Sequence, residues 1–368
     1  MPRVYQRVFA AVVLSLGLGS GAPAAEEKIL NIYNWSDYIA ADTIAGFEKE
    51  TGIRVTYDVF DSNEVLEAKL LAGNTGFDIV VPSLSFLARQ IQAGVFMTLD
   101  KSRLSNYGNL DPVLLKRIAA LDADNAHAIP YLWGTTGIGY NVARVKAVLG
   151  DDAPVDSWSL ILDPKNLAKL KACGVAFLDA PIEVIPAVLN YLGEDPNSFD
   201  TKLIQGKAQD LLMQLRPYIT YFHSSQYIND LANGDICVAL GWSGDILQAA
   251  DRASEANNGV EVAYSIPREG AAMWFDMMAI PKDARHPQNA LLFMNYILRP
   301  EVIAAISNYV WYANGNSAST ALVDREILDD PGIYPRQDVV DKLYTFKVLP
   351  ASVDRAYTRT WTRVKTGR

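Results

Sequence analysis

From Lys28 onward, short runs of β-branched and other apolar residues alternate with segments whose apolar positions recur at helical spacing. Ile29 to Tyr33 reads as a strand. Ile44 and Phe47, three apart, then read as a helix capped by Asp42 and stopped at Gly52. Ile53 to Phe60 is predicted as a second strand. Asp61, with Glu64 three residues later, opens a helix through Leu66 and Leu70, and Phe77 to Val81 is a third strand ended by Pro82. Strand, helix and strand repeated in this order predict a parallel α/β sheet.

The alternation pauses around Tyr131 to Asn141, where a proline, several glycines and two threonines bracket an extended segment. A second α/β series follows. It comprises the strand Val175 to Leu178, a helix from about Ile182 to Leu192, a helix through Leu211 and Leu212, and the strand Ile236 to Leu240. The punctuation Ile266-Pro267-Arg268-Glu269-Gly270 then precedes a strand from Met273 to Ile280 and two more helices. A length of 368 residues corresponds to about two domains. Two α/β lobes joined at more than one crossing fit the pattern, although periodicity does not assign each segment to a lobe.

The beginning of the chain is of another kind. Arg3 and Arg7 precede an apolar run from Val8 to Leu18, and Ala22-Pro23-Ala24 supplies small residues, so residues 1–24 read as a secretory signal peptide cleaved after Ala24. Export allows Cys173 and Cys237, 64 positions apart, to pair. Closing such a loop stabilises by roughly 4 kcal/mol in the chain-entropy picture. Spacing alone leaves two separate buried thiols open as the alternative. With 33 basic against 42 acidic residues and a net charge of -9, the chain lacks the positive charge that dominates nucleic-acid affinity, and no nucleic-acid partner is expected.

Several chemistries lack their residues. There is no HExxH, P-loop or GxSxG, the histidines His127, His223 and His286 sit in unrelated contexts, and Gly137-Ile138-Gly139 is only the front of a dinucleotide fingerprint. No metal and no cofactor is expected. A glycosidase needs only two carboxyls at the correct separation, so a secreted glycoside hydrolase stands as the alternative function. What does stand out is a carboxylate beside aromatics at the ends of predicted strands: Asn34-Trp35-Ser36-Asp37-Tyr38, Gly241-Trp242-Ser243-Gly244-Asp245 and Trp274-Phe275-Asp276. Open α/β sheets collect ligands there. Each element alone has a bland reading, as core aromatic, helix cap or solvated strand residue.

Tyr33-Asn34-Trp35-Ser36-Asp37-Tyr38, Phe47-Glu48-Lys49-Glu50-Thr51-Gly52-Ile53, Tyr57-Asp58-Val59-Phe60-Asp61-Ser62-Asn63-Glu64, Phe222-His223-Ser224-Ser225-Gln226-Tyr227-Ile228, Leu231-Ala232-Asn233-Gly234-Asp235-Ile236-Cys237 and Thr360-Trp361-Thr362-Arg363-Val364-Lys365 carry a resemblance. Over essentially the whole mature length the chain resembles the periplasmic polyamine-binding proteins of bacterial ABC importers, the putrescine-type branch above all. The resemblance implies a type II periplasmic binding fold, with one lobe over 25–135 plus 263–313 and the other over 136–262 plus 314–368. It implies a binding rather than catalytic role, a periplasmic location, an inner-membrane ABC permease as partner, and a monomer. The matching site positions are Trp35, Ser36, Asp37, Tyr38, Ser83, Ser85, Glu183, Ser224, Trp242, Asp245, Trp274, Asp276 and Tyr312. The family's cysteine pair falls on Cys173 and Cys237.

The chemistry of these residues suits a polyamine. Asp245 and Asp276 would hold one ammonium and Glu183 or Asp37 the other, with aromatic faces around the methylenes. Ser36, Asp37, Ser85 and Ala180 resemble the putrescine-type pattern, whereas Trp274 resembles spermidine-preferring members, which leans the expectation toward spermidine.

Overall fold

The computed structural model describes residues 26–368, so the expected signal peptide lies outside the described residues. The strands are β1 (Ile29–Trp35), β2 (Arg54–Phe60), β3 (Ile79–Val80), β4 (Ala128–Asn141), β5 (Val175–Phe177), β6 (Tyr221–Phe222), β7 (Val238–Trp242), β8 (Val262–Ser265), β9 (Met273–Ala279) and β10 (Ala313–Asn314). They form a ten-stranded sheet in the order β2-β1-β3-β9-β4-β7-β5-β6, with β8 and β10 also pairing with β4.

The expectation of a parallel sheet holds only on the flanks. β1 runs parallel to β2 and β3, and β5 parallel to β6 and β7. In the middle, β9 is antiparallel to β3 and β4, and β4 is antiparallel to β7, β8 and β10. The cause is the segment that interrupted the sequence pattern. β4 is a 14-residue strand whose first part, Ala128–Thr135, pairs with β9 and whose second part, Thr136–Asn141, pairs with β7 and β8, so one strand belongs to both halves of the sheet. Its glycines are there for close approach. A Cβ on Gly137 would stand 2.5 Å from the Ser265 carbonyl oxygen, and one on Gly139 would stand 2.7 Å from the Ile246 side chain. The Gly-Ile-Gly run is thus sheet packing and not a phosphate loop.

Two helix starts differ from the expected caps. Asp42 precedes the helix Thr43–Thr51 without a side-chain cap bond, although Gly52 does end it in the left-handed region at φ 67°. Ser62, not Asp61, caps the helix Asn63–Ala72: its hydroxyl oxygen accepts from the Val65 N–H and its O–H donates to Glu64 at 3.0 Å. Strand ends also moved. β1 and β7 both run on through their tryptophans, which places Trp35 and Trp242 on strands rather than in loops.

The core takes strand residues Leu30, Ile32 and Ile79 with helix residues Phe47 and Leu66 from one half, and strand residues Val175, Phe177 and Leu240 with helix residues Val184 and Leu212 from the other, all fully buried. No single helix among the described residues is long and apolar enough to cross a membrane. Cys173, just before β5, and Cys237, just before β7, form a disulfide with Cα atoms 5.5 Å apart. Reducing it should lower the unfolding temperature by several degrees while leaving the fold intact at room temperature. Differential scanning calorimetry with and without reductant checks this. An unchanged transition in protein whose thiols have both been alkylated would remove the stabilising role.

Candidate functional site

The short path from β7 into the next helix shows how the site is assembled. Trp242 is the last residue of β7 and the helix Ser243–Ala256 starts at the next position, with Asp245 in its first turn. Gly241 and Gly244 flank this junction for a steric reason. A Cβ on Gly241 would stand 2.6 Å from the Tyr227 ring, and one on Gly244 would run into the Tyr312 ring. Those two rings are what hold Asp245. Tyr312 donates its O–H to Asp245 Oδ1 and Tyr227 donates to Oδ2, each at 2.7 Å. The phenol oxygens in turn accept backbone N–H groups, Tyr227 from Trp242 and Tyr312 from Asp245 itself, each at 3.1 Å.

A second carboxylate is bracketed in the same manner. Asp276, in the middle of β9, accepts from Ser83 Oγ at 2.6 Å and from the Tyr38 hydroxyl at 2.9 Å. Asn63 fixes that serine by accepting its backbone N–H and donating to its Oγ, both at 3.0 Å. The third, Glu183 in the first turn of the helix Pro181–Tyr191, accepts from Thr136 Oγ1 at 2.6 Å, and Trp274 Nε1 donates to the same hydroxyl at 3.2 Å.

These groups face a common cavity. Trp35, Ser36, Tyr38, Ser83, Glu183, Ser224, Trp242, Asp245, Trp274, Asp276 and Tyr312 line it, which brings together all but two of the positions anticipated from sequence. The aromatics meet edge to face around it, Trp35 with Trp242 at 5.6 Å between centroids, Trp274 with Tyr312 at 5.5 Å and Tyr38 with Tyr312 at 5.1 Å.

Asp37 and Ser85 are the two exceptions. Asp37 has φ 53°, and its carboxylate turns outward to pair with Arg252 at 2.7 Å, with 40% of the side chain exposed. Of the two carboxylates expected to provide the second anchor, Glu183 lines the cavity and Asp37 lies at its rim, paired with a guanidinium. Ser85 sits on the helix Leu84–Gln92 and lines a different, larger groove. Sequence reading also missed Phe60, Asp61, Asn63 and Ser225 on the cavity wall and Tyr227 and Thr136 behind it. Tyr227 and Asn63 lie inside motifs that carried the resemblance; nothing in one dimension aims their polar atoms at Asp245 and Ser83.

The electrostatics have one sign. The wall carries Glu183, Asp245, Asp276 and Asp61 and no lysine, arginine or histidine. Burial pushes Glu183 up to about 8 and Asp245 and Asp276 each up to about 7, against the pull of their hydroxyl donors; Asp245 also raises Asp276 by repulsion. Burial likewise keeps the Tyr38 and Tyr312 phenols well above their ordinary range, hence as donors. A cluster of buried carboxyls whose ionisation is suppressed, set between aromatic walls, suits an elongated cation that favours their charged form.

Residues 42–334 match the family of bacterial extracellular solute-binding proteins. The chain is 63% identical over 353 residues to the putrescine-binding periplasmic protein PotF of Escherichia coli K12, covering 96% of this chain and 95% of that one. It is 55% identical over 368 residues to the putrescine-binding periplasmic protein SpuD of Pseudomonas aeruginosa UCBPP-PA14, covering 100% of both. Among solved structures, the spermidine/putrescine ABC transporter substrate-binding protein PotD from Streptococcus pneumoniae superposes with a TM-score of 0.73 at 29% identity, covering 92% of this chain and 99% of that one. The architecture is that of the periplasmic binding proteins, two α/β lobes with a cleft between them. The glycoside hydrolase reading finds no support among these relatives, which are named for binding. The chain is a periplasmic member of the bacterial extracellular solute-binding family, in the branch of the polyamine-binding proteins of ABC importers.

Proposed function

We propose that this protein captures a polyamine, spermidine or putrescine, in the cavity and delivers it to an inner-membrane ABC permease, without catalysing a reaction. The observation that carries the reading is the set of three buried carboxyls, each fixed by hydroxyl donors between aromatic walls with no cationic side chain among them. One ammonium lies between Asp245 and Asp276 and the other meets Glu183, through hydrogen bonds about twice as strong as neutral ones. The indole and phenol rings enclose the methylenes and add roughly 0.5 to 2 kcal/mol per favourable cation-π contact. The names of the relatives support the ligand class and the transporter partner.

Closure follows from the proposed lobe division, 25–135 plus 263–313 against 136–262 plus 314–368. On that division two ion pairs join the lobes at different points, Asp37 with Arg252 and Arg89 with Asp354 at 3.1 Å. A ligand that touches both walls favours the closed form by its differential affinity, and the permease reads that shape. The protein acts as a monomer and takes no nucleic acid in this scheme.

The test is a calorimetric titration of refolded, ligand-stripped mature protein with putrescine, cadaverine, spermidine and spermine. One-to-one saturable binding of at least one is expected, and the wider aromatic face of Trp274 favours spermidine over putrescine. No heat with any of them, from protein shown to be folded, overturns the reading.

A further inference from the structure

We propose that His223 is a positioning residue for the cavity: its ring Nδ1 caps the helix Gln226–Asn233 and thereby holds Ser225 on the cavity wall and Tyr227 against Asp245. The first N–H groups of a helix have no partner within it, and a serine at the preceding position ordinarily accepts one of them through its hydroxyl. Ser225 occupies that position with φ -138° and ψ -33°, yet its hydroxyl makes no cap bond. The N–H groups of Ser225 and Gln226 instead both donate to His223 Nδ1, each at 3.1 Å. A ring nitrogen that accepts two N–H groups carries no hydrogen, so the imidazole has its proton on Nε2.

Handing the cap to His223 has consequences on the wall. Ser225 lines the cavity, its Oγ 3.4 Å from the same nitrogen, at the outer limit of a hydrogen bond. The histidine is itself fixed by strand pairing, because its backbone N–H donates to the Phe177 carbonyl at 3.0 Å just beyond the β5–β6 ladder. Ser224 is fixed alongside by accepting the Asp179 N–H at 3.2 Å. The ring therefore ties the helix start to β5. Tyr227, the second residue of that helix, is fully buried and reaches Asp245 Oδ2 at 2.7 Å. A helix start that frays or shifts carries the phenol away from the carboxylate it orients.

The affinity readout of this proposal rests on the polyamine reading above; its spectroscopic readout does not. Two substitutions separate capping from space filling. Phenylalanine keeps the ring and loses the acceptor, whereas asparagine loses the ring but accepts an N–H two residues on, as in an Asx turn. His223→Phe is expected to weaken spermidine and putrescine binding about five- to tenfold, the scale of a lost cap, and His223→Asn to recover to within about twofold of the parent. Parent-like binding by His223→Phe, or weaker binding by His223→Asn than by His223→Phe, overturns the proposal. Independently of folding of either variant, nitrogen-15 NMR of the parent should show His223 with Nδ1 bare and Nε2 protonated, and slow exchange of the Ser225 and Gln226 amides. A proton on Nδ1 overturns the cap whether or not polyamines bind. A parent that binds no polyamine while showing that signature leaves the cap standing and removes the reading of the ligand.

Discussion

Replacing Asp245 by asparagine is expected to weaken polyamine binding about thirtyfold or more, and Asp276→Asn to do the same. Both carboxylates are buried, and removing one partner of a desolvated charge pair costs about 2 to 5 kcal/mol. Asparagine keeps the shape and can still meet the phenol hydroxyls, so the loss reports charge and not collapse of the wall. The two sites should not be additive, because Asp245 and Asp276 repel each other in the empty cavity and share one ammonium in the proposed complex. Ligand-free Asp245→Asn should be no less stable than the parent near pH 8, since it no longer buries a carboxylate that must ionise there. Titration calorimetry and thermal melts on the same samples check both halves. An unchanged dissociation constant in either single variant would take that residue out of the anchor.

Binding should release protons at neutral pH, and affinity should fall steeply on acidification. Glu183 is held near about 8 and Asp245 and Asp276 near about 7 in the empty cavity, whereas a bound ammonium requires them ionised. Amine groups of the lysine type stay charged throughout this range. Below about pH 7 each proton displaced by the ligand therefore reduces affinity about tenfold per pH unit. The sign for stability is the reverse of that of an ion-paired carboxylate. Folded-state values above the unfolded ones near about 4 mean that these groups stabilise the ligand-free fold in acid and that this contribution is lost as pH rises through about 7 to 8. Polyamine restores it. Calorimetric titrations near pH 7 in two buffers of different ionisation enthalpy count the protons released. Identical binding enthalpies in the two buffers would sink the linkage.

The hydrophobic pattern alone marked most strands and many helices, because a strand buried in a sheet and a helix packed on it impose distinct periods on neighbouring residues. It also placed two carboxylate-aromatic segments where β1 and β7 end, as side chains converge at strand ends in such folds, whereas the third, with Asp276, lies within β9 and not at its end. The pattern marked an extended segment at Tyr131 to Asn141 but could not reveal that this strand, β4, joins both halves of the sheet. A strand that belongs to two halves of a sheet needs glycines where neighbours press close, and in one dimension those glycines read as a break.

The residue types at the site, carboxylates with large aromatics and no cations, were determined by the sequence itself. Which carboxylate faces the cavity was decided by tertiary structure alone. Asp37 lies two residues after Trp35, yet a left-handed backbone turns its side chain to Arg252, 215 positions away, while Trp35 lines the cavity. Tyr227 and Asp245 are brought together by a glycine that lets the ring pass, and Asn63 reaches Asp276 only through Ser83. Composition and period record what a position must tolerate from its immediate neighbours. Hydrogen-bond direction, burial and the resulting pKa depend on atoms that only the folded chain brings within about 3 Å.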